Sequence, residues 1–314
     1  PIARWDAQQM LSVRLISDLA NQISQGQDGD LNPLLSQLFH KVLEDKMTDK
    51  NLLARILQLP ALSYLQQQCP DIDVMALHQA KDRYIRFCAV ELKPQWLSAF
   101  LSQSSSDKYE YNVQQMGQRA FKNMCLFYVV QCGGDAVANH AWEQFSKADN
   151  MTDKMGALSA LNHVDSSYRQ NSLDAFYQEF KQEPLVVNKW LTLQAASSLP
   201  GTLKQIKALL GHEAYDAANP NNVYALICAF GANMAVLHGS GSDGYEFIAD
   251  QVIAIDEYNP QVAARILTPL TQWRQFDRVR GELMRQALQR VQAKASLSSD
   301  VFEKVEKSLA WFSS

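Results

Sequence analysis

Apolar residues recur every three to four positions along almost the whole chain, and that period commits it to helices. Ala7, Leu11, Leu15, Leu19 and Ile23 form one stripe, which Gly26 to Asp30 interrupts. Asn32-Pro33 reads as an N-cap followed by a proline in the first turn, ahead of Leu34, Leu35, Leu38, Phe39, Val42 and Leu43. Thr48 is expected to cap a helix carrying Leu52, Leu53, Ile56 and Leu57, and Leu62 to Gln66 a short one. Asp73 opens a longer helix through Leu77, Ala80, Tyr84 and Cys88, which Pro94 ends or kinks. Ser102 to Asp107 reads as a polar loop, and Val113 to Val130 as a long helix stopped by Gly133-Gly134.

The second half continues in the same way. Asp135 to Lys147 is helical, and Thr152 is expected to cap the segment with Leu158 and Leu161. Leu203, Ile206, Leu209 and Leu210 form a stripe closed by Gly211 as C-cap. Asn219-Pro220 and Asn259-Pro260 each open a helix, with Pro269 bending the second. Gly239 to Gly244 reads as the most flexible loop, and Arg278 to Ala293 and Ser299 to Ala310 as the last two helices. Roughly fifteen helices with short connections, and no strand alternation, predict stacked helical hairpins that bury each stripe against a neighbour. Thirteen glycines and ten prolines agree, because the usual share of the two is about 12% of a chain. The tetrapeptide Met47-Thr48-Asp49-Lys50 returns as Met151-Thr152-Asp153-Lys154. A shared cap signal or repeat ancestry explains it equally well.

Charge and cysteine usage narrow the function. The formal charge is −4, and no basic cluster exists to neutralise phosphates, which argues against nucleic acid. The longest purely apolar run is Met124 to Val130, far short of the about 20 residues that a membrane-crossing helix needs. Cys69, Cys88, Cys125, Cys132 and Cys228 are odd in number and widely spaced. They read as free thiols in a reducing, cytoplasmic setting. The start at Pro1 without methionine suggests a piece of a longer protein.

Catalytic motifs are scarce. His212-Glu213 begins an H-E-x-x-H string, but Asp216 stands where the second histidine belongs, so His212 is expected in a helix-ending loop. The other histidines show no ligand spacing, and no G-x-S-x-G elbow or phosphate loop occurs. A remote Cys/His site is left open by spacing alone. The six tryptophans sit at helical positions and read as packing residues. One segment differs: Asn259-Pro260-Gln261-Val262-Ala263-Ala264-Arg265 places Gln261 and Arg265 one turn apart on one face. Two long polar donors so placed can grip a carbonyl or carboxylate, or simply form a solvated face.

This segment belongs to a collinear series: Arg4-Trp5-Asp6-Ala7, Asn150-Met151-Thr152-Asp153, Lys189-Trp190 with Leu193-Gln194-Ala195, Asn219-Pro220-Asn221, Gly244-Tyr245, Asn259 to Ala263 with Arg265, and Leu267 with Pro269-Leu270. The series resembles the C-terminal domain of the bacterial aminopeptidases N, in the M1 family of zinc aminopeptidases. The resemblance implies an all-α, right-handed superhelix of antiparallel helix pairs, armadillo/HEAT-like, over residues 1–314 as one domain. It implies a cap that gates access of peptides to a catalytic domain of the same polypeptide, which lies upstream with the β-rich domain. It implies Gln261 and Arg265 as substrate-channel residues facing that chamber. The H-E-x-x-H-x18-E and G-x-M-E-N motifs that hold zinc and the catalytic glutamate in that family do not occur here. The expectation is therefore a segment with no catalytic residue, metal ligand or cofactor of its own, inactive alone, and no transmembrane segment. The alternative is a free-standing helical-repeat scaffold that binds a protein in its concave groove.

Overall fold

Several helices start where a side chain accepts backbone N–H groups that the helix itself leaves unpaired. Asn112 accepts from Gln115 N at 2.8 Å, Asn150 from Asp153 N at 2.9 Å, and Asn259 from Val262 N at 3.2 Å. Asp277 accepts from both Val279 N and Arg280 N. A computed structural model describes residues 2–103 and 109–310. Among the described residues there are twenty α-helical segments, one π turn and one 3-10 turn, and no strand. The count exceeds the sequence expectation because Pro220–Val223, Ala229–Ala232 and Thr268–Thr271 are short pieces between bends, while the short helix expected at Leu62 is present as Leu62–Gln68. No helix among the described residues is long and apolar enough to cross a membrane.

The chain gathers into two compact units, Pro1–Ile72 with Ala76–Ala175, and Asp73–Met75 with Phe176–Ser314. In the first unit the core is organised around three rings. Trp96 lies flat on Tyr128 with centroids 4.2 Å apart, and Phe39 meets both edge-on. Their polar atoms are satisfied: Trp96 Nε1 donates to the Cys88 carbonyl and Tyr128 Oη to the Leu57 carbonyl, each at 2.9 Å. In the second unit Tyr245, Phe230 and Phe247 are buried with Ile248, Val252, Leu226 and Met284.

Five local expectations are corrected. The helix Ile2–Ser24 does not bury Ala7, Leu11 and Ile23; it buries Gln8, Ser12, Leu15, Ile16, Leu19 and Ala20. A strict four-residue step drifts by about 40° each time against a 3.6-residue turn, so such a stripe walks off the buried face. Gln8 and Ser12 are tolerated inside because Gln8 Nε2 donates to Ser12 Oγ at 2.9 Å. Thr48 is not a cap: its hydroxyl donates to Asp45 at 2.7 Å, holding that carboxyl well below its usual range, and Asp49 caps Lys50–Ile56. Thr152 likewise lies inside Met151–Leu161, whose cap is Asn150. The two copies of the tetrapeptide therefore stand in different registers against their helices, which removes the shared-cap explanation and gives repeat ancestry no structural support. Gly211 is preceded by Leu210 as C-cap and is not in the left-handed region. The Ser102–Asp107 reading lies mostly outside the described residues, and Ser102 itself ends the helix Lys93–Ser102.

Gly239 to Gly244 is not a flexible loop but a tight helix-to-helix turn between Met234–Gly239 and Asp243–Asp256. A Cβ on Gly244 would stand 2.7 Å from the Leu237 carbonyl oxygen and 3.3 Å from Leu237 Cα. Both are backbone atoms, so neither can swing away. Gly244→Ala is expected to cost about 1–3 kcal/mol, read as a lower midpoint in denaturant unfolding. An unchanged midpoint would show that the two helices can part freely.

Candidate functional site

Asn259 and Pro260 set the start of the helix Pro260–Ile266: the asparagine side chain caps it and the proline occupies the first turn, where no N–H is required. Val262, Ala263 and Ile266 are buried on one side, and Gln261 and Arg265 are exposed on the other. The sequence-derived pair is thus brought together on a solvent-facing helix surface. Arg265 lies over the ring of Tyr224, its guanidinium carbon 4.4 Å from the ring centroid. A guanidinium stacked on a ring keeps its in-plane N–H edge available for a forked contact with a carboxylate or carbonyl. Among the described residues Arg265 makes no ion pair with an acid.

Tyr224 opens the π turn Tyr224–Cys228, between Pro220–Val223 and Ala229–Ala232. The Thr192 hydroxyl donates to the Ala225 carbonyl at 3.0 Å, giving a partner to a carbonyl inside this widened turn. Cys228 ends the turn. Burial pushes its thiol up, opposed by the positive charges of Arg265 and Lys304. Lys304 reaches over from Ser299–Ala310, its Nζ donating to the Ala264 carbonyl at 2.6 Å and Thr268 Oγ1 at 2.7 Å. Thr268 Oγ1 in turn donates to the Arg265 carbonyl. Sequence reasoning missed Tyr224 and Lys304, about forty positions from Arg265 on other helices; only packing reveals them. The arrangement can hold a polar, electron-rich group by hydrogen bonds.

His212 and Glu213 are engaged in packing and hydrogen bonds. His212 lies in the turn after Thr202–Leu209, its Nδ1 accepting from Ala214 N at 3.0 Å and its ring against Tyr177 and Trp190. Glu213 accepts from Tyr177 Oη at 2.9 Å. The five cysteines form no disulfide, and burial pushes Cys88 up to about 12. Among the described residues no three His, Cys, Asp or Glu side chains form a group that could hold a metal ion, so these residues do not fit a zinc site.

His238 is buried, with Nδ1 2.9 Å from Tyr245 Oη. Burial first, and Arg280 second, push it down to about 4. Unfolded, it titrates near 6.5. Between those values the unfolded chain binds the extra proton, so stability is full above about pH 6.5 and falls as pH drops toward 4. The expected loss is on the order of 3 kcal/mol, to be read as a denaturant midpoint that falls from pH 7 to pH 4.5 and falls less in His238→Gln. Equal pH slopes in the two proteins would remove His238 as the cause.

Over residues 1–310 the chain matches the family described as a domain of unknown function, DUF3458_C, with ARM repeats. It is 32% identical over 309 residues to aminopeptidase N of Escherichia coli (strain K12), covering 98% of this chain and 35% of that protein. Aminopeptidase N of Haemophilus influenzae (strain ATCC 51907 / DSM 11121 / KW20 / Rd) gives the same identity and coverage. The crystal structure of Legionella pneumophila aminopeptidase A in complex with aspartic acid matches with a TM-score of 0.87 and 28% identity, over 98% of this chain and 36% of that one. The chain therefore spans 35% of the length of the relatives it matches. The all-helical repeat class and the likeness to the C-terminal domain of aminopeptidase N, both expected from sequence, agree with these matches.

Proposed function

The chain belongs to the DUF3458_C family of ARM-repeat domains, and on that footing we propose that it is the cap domain of a cytoplasmic zinc aminopeptidase of the M1 type, gating the entry of peptides. The observation that carries this reading is the near-complete coverage of this chain by a similarity confined to 35% of each aminopeptidase N. The cap works with a catalytic domain of the same polypeptide, which supplies the zinc and the bond-breaking chemistry. The helices restrict access so that short peptides enter and folded proteins do not. Gln261 and Arg265 line the substrate channel. Arg265, steadied on Tyr224, presents its fork to a peptide carbonyl or C-terminal carboxylate, and Gln261 hydrogen-bonds one turn away. Free thiols throughout the chain suit a reducing compartment.

The division of labour is tested with the purified 314-residue chain, an aminoacyl chromogenic substrate and added zinc. The proposal expects no turnover above a protein-free control. Zinc-dependent release of product that is abolished by a chelator would place the chemistry in this chain and overturn the reading.

A further inference from the structure

A helical carbonyl takes the N–H four residues further on, and for Arg265 that residue is Pro269, which has none. The Leu267 N–H is shared, going to the Ala263 carbonyl at 3.1 Å and only secondarily to that of Arg265. A side chain fills the gap: Thr268 Oγ1 donates to the Arg265 carbonyl at 2.7 Å. Arg265 stands in the last turn of Pro260–Ile266, and this bond ties its backbone to the start of the next short helix, Thr268–Thr271.

A threonine hydroxyl carries one proton and turns freely unless its oxygen is engaged. Here Lys304, from the last helix, Ser299–Ala310, engages it: Nζ lies 2.7 Å from Thr268 Oγ1 and 2.6 Å from the Ala264 carbonyl. An ammonium can only donate, so the threonine oxygen accepts from it and the threonine proton is left for the Arg265 carbonyl. The donors run in one direction, Lys304 to Thr268 to Arg265, and the charge at the head of the relay strengthens both bonds. Lys304 makes no ion pair among the described residues, so no carboxylate draws it from this position. Arg265 is thereby fixed at both ends, its carbonyl by Thr268 and its guanidinium over the Tyr224 ring.

We propose that Thr268 and Lys304 are positioning residues for Arg265: the relay sets the direction in which the guanidinium fork meets a peptide carbonyl or C-terminal carboxylate. This rests on the reading of Arg265 as the residue that grips the peptide. Neither Thr268 nor Lys304 touches the substrate. A forked contact depends on the plane and direction of the guanidinium, so it weakens when the backbone that carries it shifts, whereas a point charge would tolerate the shift.

The test is a double-mutant cycle in the complete aminopeptidase that the proposed function implies. The ratio of kcat/KM for a tetrapeptide to that for an aminoacyl anilide is measured in the parent, Thr268→Val, Arg265→Ala and the double variant. Thr268 is exposed and valine keeps its shape, so the variant should fold. It should lower the ratio about three- to tenfold, the weight of one hydrogen bond. In the Arg265→Ala background the same substitution should leave the ratio unchanged, because the residue it positions is gone. Thr268→Ser restores the hydroxyl and should recover the parent ratio. Lys304→Met frees that hydroxyl to turn and should fall between the parent and Thr268→Val. An equal loss in both backgrounds, no loss in Thr268→Val, or no recovery in Thr268→Ser would overturn the assignment and leave Arg265 as the gripping residue. A ratio that Arg265→Ala itself leaves unchanged would instead overturn the underlying reading, and the assignment with it.

Discussion

Trp96→Ala is expected to cost the first unit about 3–5 kcal/mol. Trp96 is fully buried, stacked on Tyr128 and met edge-on by Phe39, and both neighbours are themselves almost inaccessible. Truncation leaves a cavity the width of an indole between rigid rings that cannot collapse into it. It also strips the Cys88 carbonyl of its Nε1–H partner. For a unit of this size each kcal/mol shifts Tm by about 2–4 °C, so the fall should be on the order of 10 °C, read by circular dichroism at 222 nm. Trp96→Phe keeps a ring but loses the donor, and should fall between the two. A shift of Trp96→Ala within one or two degrees of the parent would mean that the ring cluster does not organise this core.

Tryptophan at position 96 was legible as packing, while its partners were not. Phe39, Trp96 and Tyr128 lie on three helices, and no local pattern says that these rings meet. What local pattern does reveal is helix type and most boundaries: Asp135–Lys147 and Ser299–Ala310 fall where the spacing puts them. It fails where tertiary contact decides. Thr48 had a better use, donating to Asp45, than capping a helix that Asp49 already caps. Gly239 to Gly244 looks flexible by composition, yet Gly244 is there because Leu237 backbone occupies the space of a side chain.

The candidate site divides along the same line. Asn259 and Pro260 announce a helix start, and the four-residue spacing puts Gln261 and Arg265 on one face; both features are local and both hold. The platform under Arg265 depends on a π turn that no hydrophobic period signals, since the α-helical pieces on either side, Pro220–Val223 and Ala229–Ala232, are too short for a one-residue shift of the apolar register to show. Lys304 carries no motif or spacing signal in the sequence, and only packing brings its Nζ to the Ala264 carbonyl.

Arg265→Ala is the second large effect, and it falls on activity. The side chain is exposed and its fold contribution is its contact with Tyr224, worth about 0.5–1 kcal/mol, so the variant should fold normally. Its loss removes a charge-assisted contact worth about 1.5–3 kcal/mol to any substrate long enough to reach it. That corresponds to roughly a ten- to hundredfold fall in kcat/KM. Single-residue chromogenic amides end before the fork and should be spared. Arg265→Lys keeps the charge without the fork and should recover part of the loss. The most direct measurement is the ratio of kcat/KM for a tetrapeptide to that for an aminoacyl anilide, in the complete aminopeptidase that the proposal implies, for the parent and for Arg265→Ala. That ratio should drop at least about tenfold in the variant. A ratio that stays the same, whether both substrates slow together or neither does, would contradict the claim that this helix faces the peptide.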